Sequence, residues 1–209
     1  IITYCEAILR VYNRYGRRDN LYKARIKILV KALGVAEFKR QVEEEWAFGK
    51  GGPNTLTEAE LTRVAGHFTT PAYETLPSDD ASYVSQRAAN PAFAAWARRN
   101  VIAHQQPGYA VVVLSLKDPK RAPGDITDAQ LELVAELADA YSFGEVRATH
   151  EQNLVLADVK QSDLFAVWEK ARAAGLATPN FGLLTDLICC PGGDFCALAN
   201  AKSIPIANA

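Results

Sequence analysis

The chain has 209 residues, 49% of them hydrophobic, which is enough to bury one large core or two small ones and excludes a disordered reading. Basic and acidic residues nearly cancel at a formal net charge of -1, which excludes nucleic acid or an anionic membrane surface as a charge-driven partner, so any electrostatic function has to be local. The longest apolar runs, such as Tyr109 to Leu116, are too short to span a bilayer, and no basic start followed by an apolar stretch and a cleavage site is present, so the reading is a cytoplasmic protein with no membrane partner.

In chain order, Ile1, Cys5, Ile8, Leu9 and Tyr12 recur at helical spacing up to Gly16, and Cys5 reads as a small buried hydrophobe. A second helix is predicted from about Asn20 to Leu33 and a third from Ala36 to Trp46, with Phe38 and Val42 inward and Glu43-Glu44-Glu45 as a solvated face. From Ala47 to about Asn90 the periodicity fades while Gly, Pro, Thr, Ser and Asp accumulate, which predicts a connecting region. Asn90-Pro91 opens a helix to Arg99, because proline suits the first helical turn. Tyr109–Lys117 reads as a strand, and Thr127 with Gln130 as a capping box opening a helix to about Ser142. Strands follow at Glu145–His150 and Asn153–Val159, then a helix capped by Ser162 and ending at Gly175, with one more strand expected near the end. This order predicts an α+β fold in which a helical segment precedes a split β-α-β, ferredoxin-like unit.

Three features carry chemistry. Of four cysteines, Cys189, Cys190 and Cys196 fall within eight residues, an arrangement poorly suited to paired disulfides. Thiolates are the ligands of iron–sulfur clusters, and the Pro191-Gly192-Gly193 run lets the backbone wrap an inorganic core. By spacing alone Cys190-x5-Cys196 also admits a zinc site or no metal at all. The second feature is the basic stretch Arg17 to Lys27, either a solvated helical face or a cradle for a polyanion. The third is Arg147-Ala148-Thr149-His150-Glu151-Gln152-Asn153, where strand alternation puts Arg147 and Thr149 on one face; this is either a ligand-facing edge or an exposed strand with a turn. His67, His104 and His150 are scattered and form no ligand pattern.

In this order, Asn20-x3-Ala24-Arg25-x-Lys27, Arg147-x-Thr149-x2-Gln152-Asn153-Leu154 and Cys190-Pro191-Gly192-Gly193-Asp194-Phe195-Cys196 resemble the siroheme- and 4Fe-4S-dependent nitrite/sulfite reductase family, over nearly the whole chain. The resemblance implies a six-electron reduction of sulfite to sulfide or of nitrite to ammonia, with ferredoxin or a flavoprotein as electron donor. It implies siroheme and a 4Fe-4S cluster as cofactors, with Cys190 and Cys196 as two of four cluster ligands and Cys189 as a non-ligand. Siroheme is rich in carboxylates, so Arg18, Asn20, Arg25, Lys27, Arg147, Thr149, Gln152 and Asn153 are the candidate contacts to it. No catalytic residue is assigned.

The implied organisation places the helical end of a siroheme-binding domain at 1–47, a connecting region at 48–106, a ferredoxin-like half-domain at 107–175, and the start of a second siroheme/4Fe-4S domain at 176–209. The chain starts inside an apolar helical pattern, contains no methionine and stops soon after its cysteine motif, so neither end reads as a natural terminus. The expectation is an internal fragment, inactive alone, whose second cysteine pair lies downstream. A non-catalytic iron–sulfur or zinc electron-transfer module is the alternative, and a structural α/β domain with incidental cysteines the third reading.

Overall fold

The apolar spacing of the first fifty residues produces three helices, α1 (Ile2–Tyr15), α2 (Ile26–Leu33) and α3 (Val35–Gly49), in a computed structural model that describes residues 1–209. They belong to the first of two units, Ile1–Thr70; the second is Pro71–Ala209. In the first unit Ala7 and Val11 of α1 bury against Val42 of α3, with Tyr4, Ile8, Phe38 and Trp46 packed around them. Tyr4 meets Trp46 edge-on at 5.4 Å and donates its hydroxyl to Glu43 Oε1 at 2.9 Å, while the Trp46 indole donates to Thr3 Oγ1 at 3.1 Å.

Three expectations for this unit change. The Glu43–Glu45 run is a solvated face only at Glu44: Glu43 accepts from Tyr4, and the Glu45 side chain, 9% exposed, pairs with Arg10 and Arg14 of α1. Cys5 is exposed, because α1 turns Tyr4, Ala7, Ile8 and Val11 inward instead. The second helix starts at Ile26 rather than Asn20. Asn20 Oδ1 accepts from the Tyr22 N–H at 3.0 Å, an Asx turn that competes with helix, and Arg25 is extended (φ -134°, ψ 140°).

Within 47–90 two short helices form, each begun by a side-chain cap that periodicity alone did not reveal. They are α4 (Glu58–Ala65), where Thr57 accepts from the Glu60 N–H, and α5 (Ala81–Ala89), where Asp80 accepts from that of Tyr83. In the second unit α6 (Pro91–Asn100) starts as predicted, with Asn90 Oδ1 accepting from Ala92 and Phe93. It runs into β1 (Val101–Ala103), which forms an antiparallel hairpin with β2 (Tyr109–Leu114). The predicted capping box of Thr127 and Gln130 opens α7 (Asp128–Tyr141). The chain continues through β3 (Arg147–Ala148), β4 (Leu154–Lys160) and α8 (Leu164–Ala173). The Ser162 cap is not formed; a short 3-10 turn, Gln161–Asp163, leads into α8 instead.

The four strands lie in the order β1-β2-β4-β3, every neighbour antiparallel. The strand predicted near the end of the chain is absent, and the place beside β2 is held by β1, whose five-residue connection closes at little entropic cost. The chain after α8 still returns to β2. Ser115 N–H donates to Leu176 O at 3.0 Å, and Asn100 Nδ2 is shared between Val113 O and Thr178 O at 3.0 Å each. Phe93 and Trp96 of α6, Val134 and Leu137 of α7, and Leu164, Val167 and Trp168 of α8 close over Val112, Leu114 and Leu156 of the sheet. This is the expected α+β class with a ferredoxin-like unit. No helix is long and apolar enough to cross a membrane.

Candidate functional site at the Cys190–Cys196 loop

Between Cys190 and Cys196 the chain makes a single helical turn, α9 (Gly192–Phe195), closed by the Cys196 N–H donating to Gly192 O at 2.9 Å. Gly192 has φ +57°, and a Cβ there would stand 2.3 Å from Ser203 Oγ and 2.8 Å from the Ser203 nitrogen, so only glycine lets the two backbones approach. Gly193 N–H donates to Ala201 O at 2.8 Å, and Lys202 pairs with Asp194 at 3.0 Å. The motif is thereby folded back on residues 201–203.

Cys190 is exposed, Cys196 half-buried and Cys189 buried. Ser203 donates to Cys190 O at 2.7 Å and lies 3.4 Å from Cys190 Sγ. The contact with Ser203, and next that with the Gly192 backbone, lower the Cys190 thiol from its ordinary value. Cys189 instead spends its S–H on Cys190 O at 3.1 Å. Cys189, Cys190, Pro191 and Phe195 join Gln152 and Pro123 around a cleft of about 160 Å³. Two thiols flanking a glycine-rich turn, one exposed and one half-buried, fit a pair of cluster ligands. No group of three or more His, Cys, Asp and Glu is placed to hold a metal ion.

Behind the cysteines lies the turn between β3 and β4. Gln152 adopts φ +59°, its amide Nε2 donating to Cys189 O at 2.8 Å and its Oε1 accepting from Cys189 N–H at 2.9 Å. Asn153, 2% exposed, accepts from Leu116 N–H at 3.0 Å and donates to Asp186 Oδ1 at 2.8 Å; Asp186 Oδ2 accepts from Gly182 N–H at 3.1 Å. Lys117, 8% exposed, donates to Glu151 O at 2.5 Å and Gln152 O at 3.3 Å. Burial pushes its ammonium below the ordinary lysine range, opposed by Asp186, Glu151 and Cys189. Lys117, Asp186 and Ser203 were not singled out from sequence. Lys117 closing the apolar run Tyr109–Leu116 was the one available signal; for Asp186 and Ser203 there was none.

The other candidates separate into two groups. In the second unit, Thr149 Oγ1 accepts from Asn153 N–H at 3.3 Å, so Thr149, Gln152 and Asn153 share one turn. Arg147, exposed on β3, pairs with Glu145. Thus the Gln152 amide is occupied by Cys189 and that of Asn153 by Leu116 and Asp186, whereas the Arg147 guanidinium is open to solvent. In the first unit, Arg18, Arg25 and Lys27 are exposed and Asn20 half-buried. Arg18 bonds Asn13 and lies over the Tyr12 ring at 5.6 Å.

A second polar cluster involves His104. Its Nε2 lies 3.2 Å from Asp158 Oδ1, which also accepts from the Tyr73 hydroxyl at 2.6 Å. Asp158 is 3% exposed, and its hydrogen bond, then desolvation, push the Tyr73 hydroxyl up to about 12.

Two family models match the chain: the nitrite and sulphite reductase 4Fe-4S domain over residues 1–50, and the nitrite/sulfite reductase ferredoxin-like half domain over residues 103–174. The chain belongs to the nitrite and sulfite reductase family. Similar members include the chloroplastic ferredoxin–nitrite reductase of Zea mays, 29% identical over 215 residues covering 100% of this chain and 32% of that protein. That of Oryza sativa subsp. japonica is 28% identical, covering 95% of this chain and 28% of that protein. The ferredoxin–nitrite reductase of Synechococcus elongatus is 26% identical, covering 100% and 34%. The chain thus spans about a third or less of the length of these curated relatives. A solved structure, that of the Mycobacterium tuberculosis NirA protein, shares the fold at a TM-score of 0.56 and 23% identity, over 98% of this chain and 30% of that one.

Proposed function

We propose that this chain is part of a ferredoxin-dependent reductase that carries out the six-electron reduction of nitrite to ammonia at a siroheme coupled to a 4Fe-4S cluster. Cys190 and Cys196 are two of the cluster's four thiolate ligands in this reading. The observation that carries it is the folded Cys190–Cys196 turn, with the exposed Cys190 sulfur beside a cleft. The names of the relatives favour nitrite over sulfite and ferredoxin over a flavoprotein, although the family models cover both anions.

When bound, the coupled pair supplies one-electron steps and an iron site for the anion. The chain's own residues do the rest. In the second unit Arg147 and Thr149 offer a cation and a hydroxyl to siroheme carboxylates; in the first unit, taken by itself, Arg18, Asn20, Arg25 and Lys27 are candidates for contacts of the same chemistry. Gln152 and Asn153 serve the same site by holding the β3–β4 turn against the cysteine loop.

The test is the full gene product purified with Cys190→Ser or Cys196→Ser. Each substitution should abolish cluster absorption and, with it, turnover of nitrite; a wild-type spectrum in either variant would sink the ligand assignment. Parallel turnover assays with sulfite, and with a flavoprotein donor in place of ferredoxin, decide the substrate and the donor.

A further inference from the structure

We propose that Gln152 is the positioning residue that decides which of two adjacent thiols, Cys189 or Cys190, faces outward to the cluster; the inference rests on the cluster reading above. Successive side chains of an extended segment point to opposite sides, so whichever way residue 189 turns, residue 190 turns the other. Cys189 is buried and Cys190 exposed. A one-residue slip of this segment would exchange them.

What holds the register is a two-point pairing between one side chain and one peptide. The Gln152 amide donates to Cys189 O at 2.8 Å and accepts from Cys189 N–H at 2.9 Å, as a neighbouring strand would. The pairing needs Gln152 at the right height, and three features fix it. Its backbone takes the left-handed φ of +59°; Lys117 holds the carbonyls of Glu151 and Gln152; and Gly124, at φ +94°, lets its backbone pass where a Cβ would sit 3.0 Å from Gln152 Cβ. Asn153, next in the chain, ties the same turn to Asp186, three residues before Cys189. The side chain that aligns the motif thus lies 37 residues before Cys189 in sequence.

The test alkylates the full 209-residue chain, without cofactors, with iodoacetamide and resolves Cys189 from Cys190 by fragment mass spectrometry. Cys190 should react faster. Gln152→Asn keeps a residue that tolerates the left-handed backbone but is one methylene too short to reach Cys189, and it should lower the Cys190:Cys189 rate ratio about tenfold. Val167→Ala, a core truncation elsewhere in the same unit, should leave the ratio unchanged. An unchanged ratio in Gln152→Asn, or an equal change in Val167→Ala, overturns the proposal.

Should Gln152→Asn fail to fold, hydrogen exchange of the Cys189 amide in the wild-type chain decides. Protection supports the pairing, and free exchange overturns it. The cluster reading fails separately: if Cys190→Ser retains its cluster, the cluster role falls even where the alkylation ratio shifts. An unaltered ratio with a cluster lost in Cys190→Ser overturns only the positioning role of Gln152.

Discussion

Asn153→Ala probes the joint behind the cysteine loop most directly. The substitution leaves the Leu116 N–H, buried and bonded at 3.0 Å in the wild type, with no partner, at about 1–3 kcal/mol. It also removes the donor 2.8 Å from Asp186 Oδ1, and a hydrogen bond to a charged group contributes about 1.5–3 kcal/mol. Asp186, 7% exposed, then keeps only the Gly182 N–H on its other oxygen. The combined loss is about 3 kcal/mol or more, a large share of the stability of a typical domain.

Trp96 and Trp168 lie in the second unit and Trp46 in the first, so thermal melting followed by tryptophan fluorescence in a Trp46→Phe background reports on the relevant core. A drop of about 6–12 °C is expected. Asn153→Asp preserves shape and the acceptor for Leu116 but sets a second oxygen acceptor against Asp186 where the wild type has a donor, so it should also melt below wild type. An Asn153→Ala variant melting within about 2 °C of wild type would refute the accounting, since it would mean the buried N–H finds another partner at little cost.

Gly124→Ala should destabilise the second unit by about 1–3 kcal/mol in urea titration, because it forces an L side chain to φ +94° and crowds Gln152. Tyr73, pushed up to about 12 by its bond to Asp158, has a folded pKa above its ordinary value of 10.0. The stability it contributes is present below pH 10 and is lost as the pH rises through about 12. Ultraviolet titration should show a late-ionising tyrosine that Asp158→Asn moves toward the normal range. Lys117 has the opposite sense: burial lowers its folded pKa below 10.5, so the unfolded chain binds more protons in that window and stability rises with pH toward 10.5. The difference in unfolding free energy between wild type and Lys117→Met, followed against pH, should show that rise, and a flat difference would contradict the buried placement.

What could be read from the amino-acid sequence is what neighbours within a few residues decide. Thr127 and Gln130 close their capping box across one turn, Asn90 and Pro91 start α6 with local donors, and the apolar runs Tyr109–Leu114 and Leu154–Lys160 pair as strands wherever the chain lets them meet. The Cys190–Cys196 motif was legible for the same reason, since two cysteines and the glycines between them sit in seven consecutive residues, and the family resemblance followed from three such short segments in order. Helix propensity misled at Asn20, where a side chain bonds its own backbone and wins locally.

Only the tertiary structure decided what lies across longer separations. The inward turn of Glu45 depends on Arg10 and Arg14, about thirty residues earlier, and β1 takes the edge of β2 before the chain end can reach it. Gln152 and Asn153 read as free donors for a ligand because nothing near them in sequence could occupy their amides; Cys189 and Asp186, more than thirty residues on, do so. Side-chain amides have no periodicity to reveal a distant partner, whereas apolar faces and caps announce themselves locally. For that reason the motif itself was readable, and the pairing that turns Cys190 rather than Cys189 outward was not.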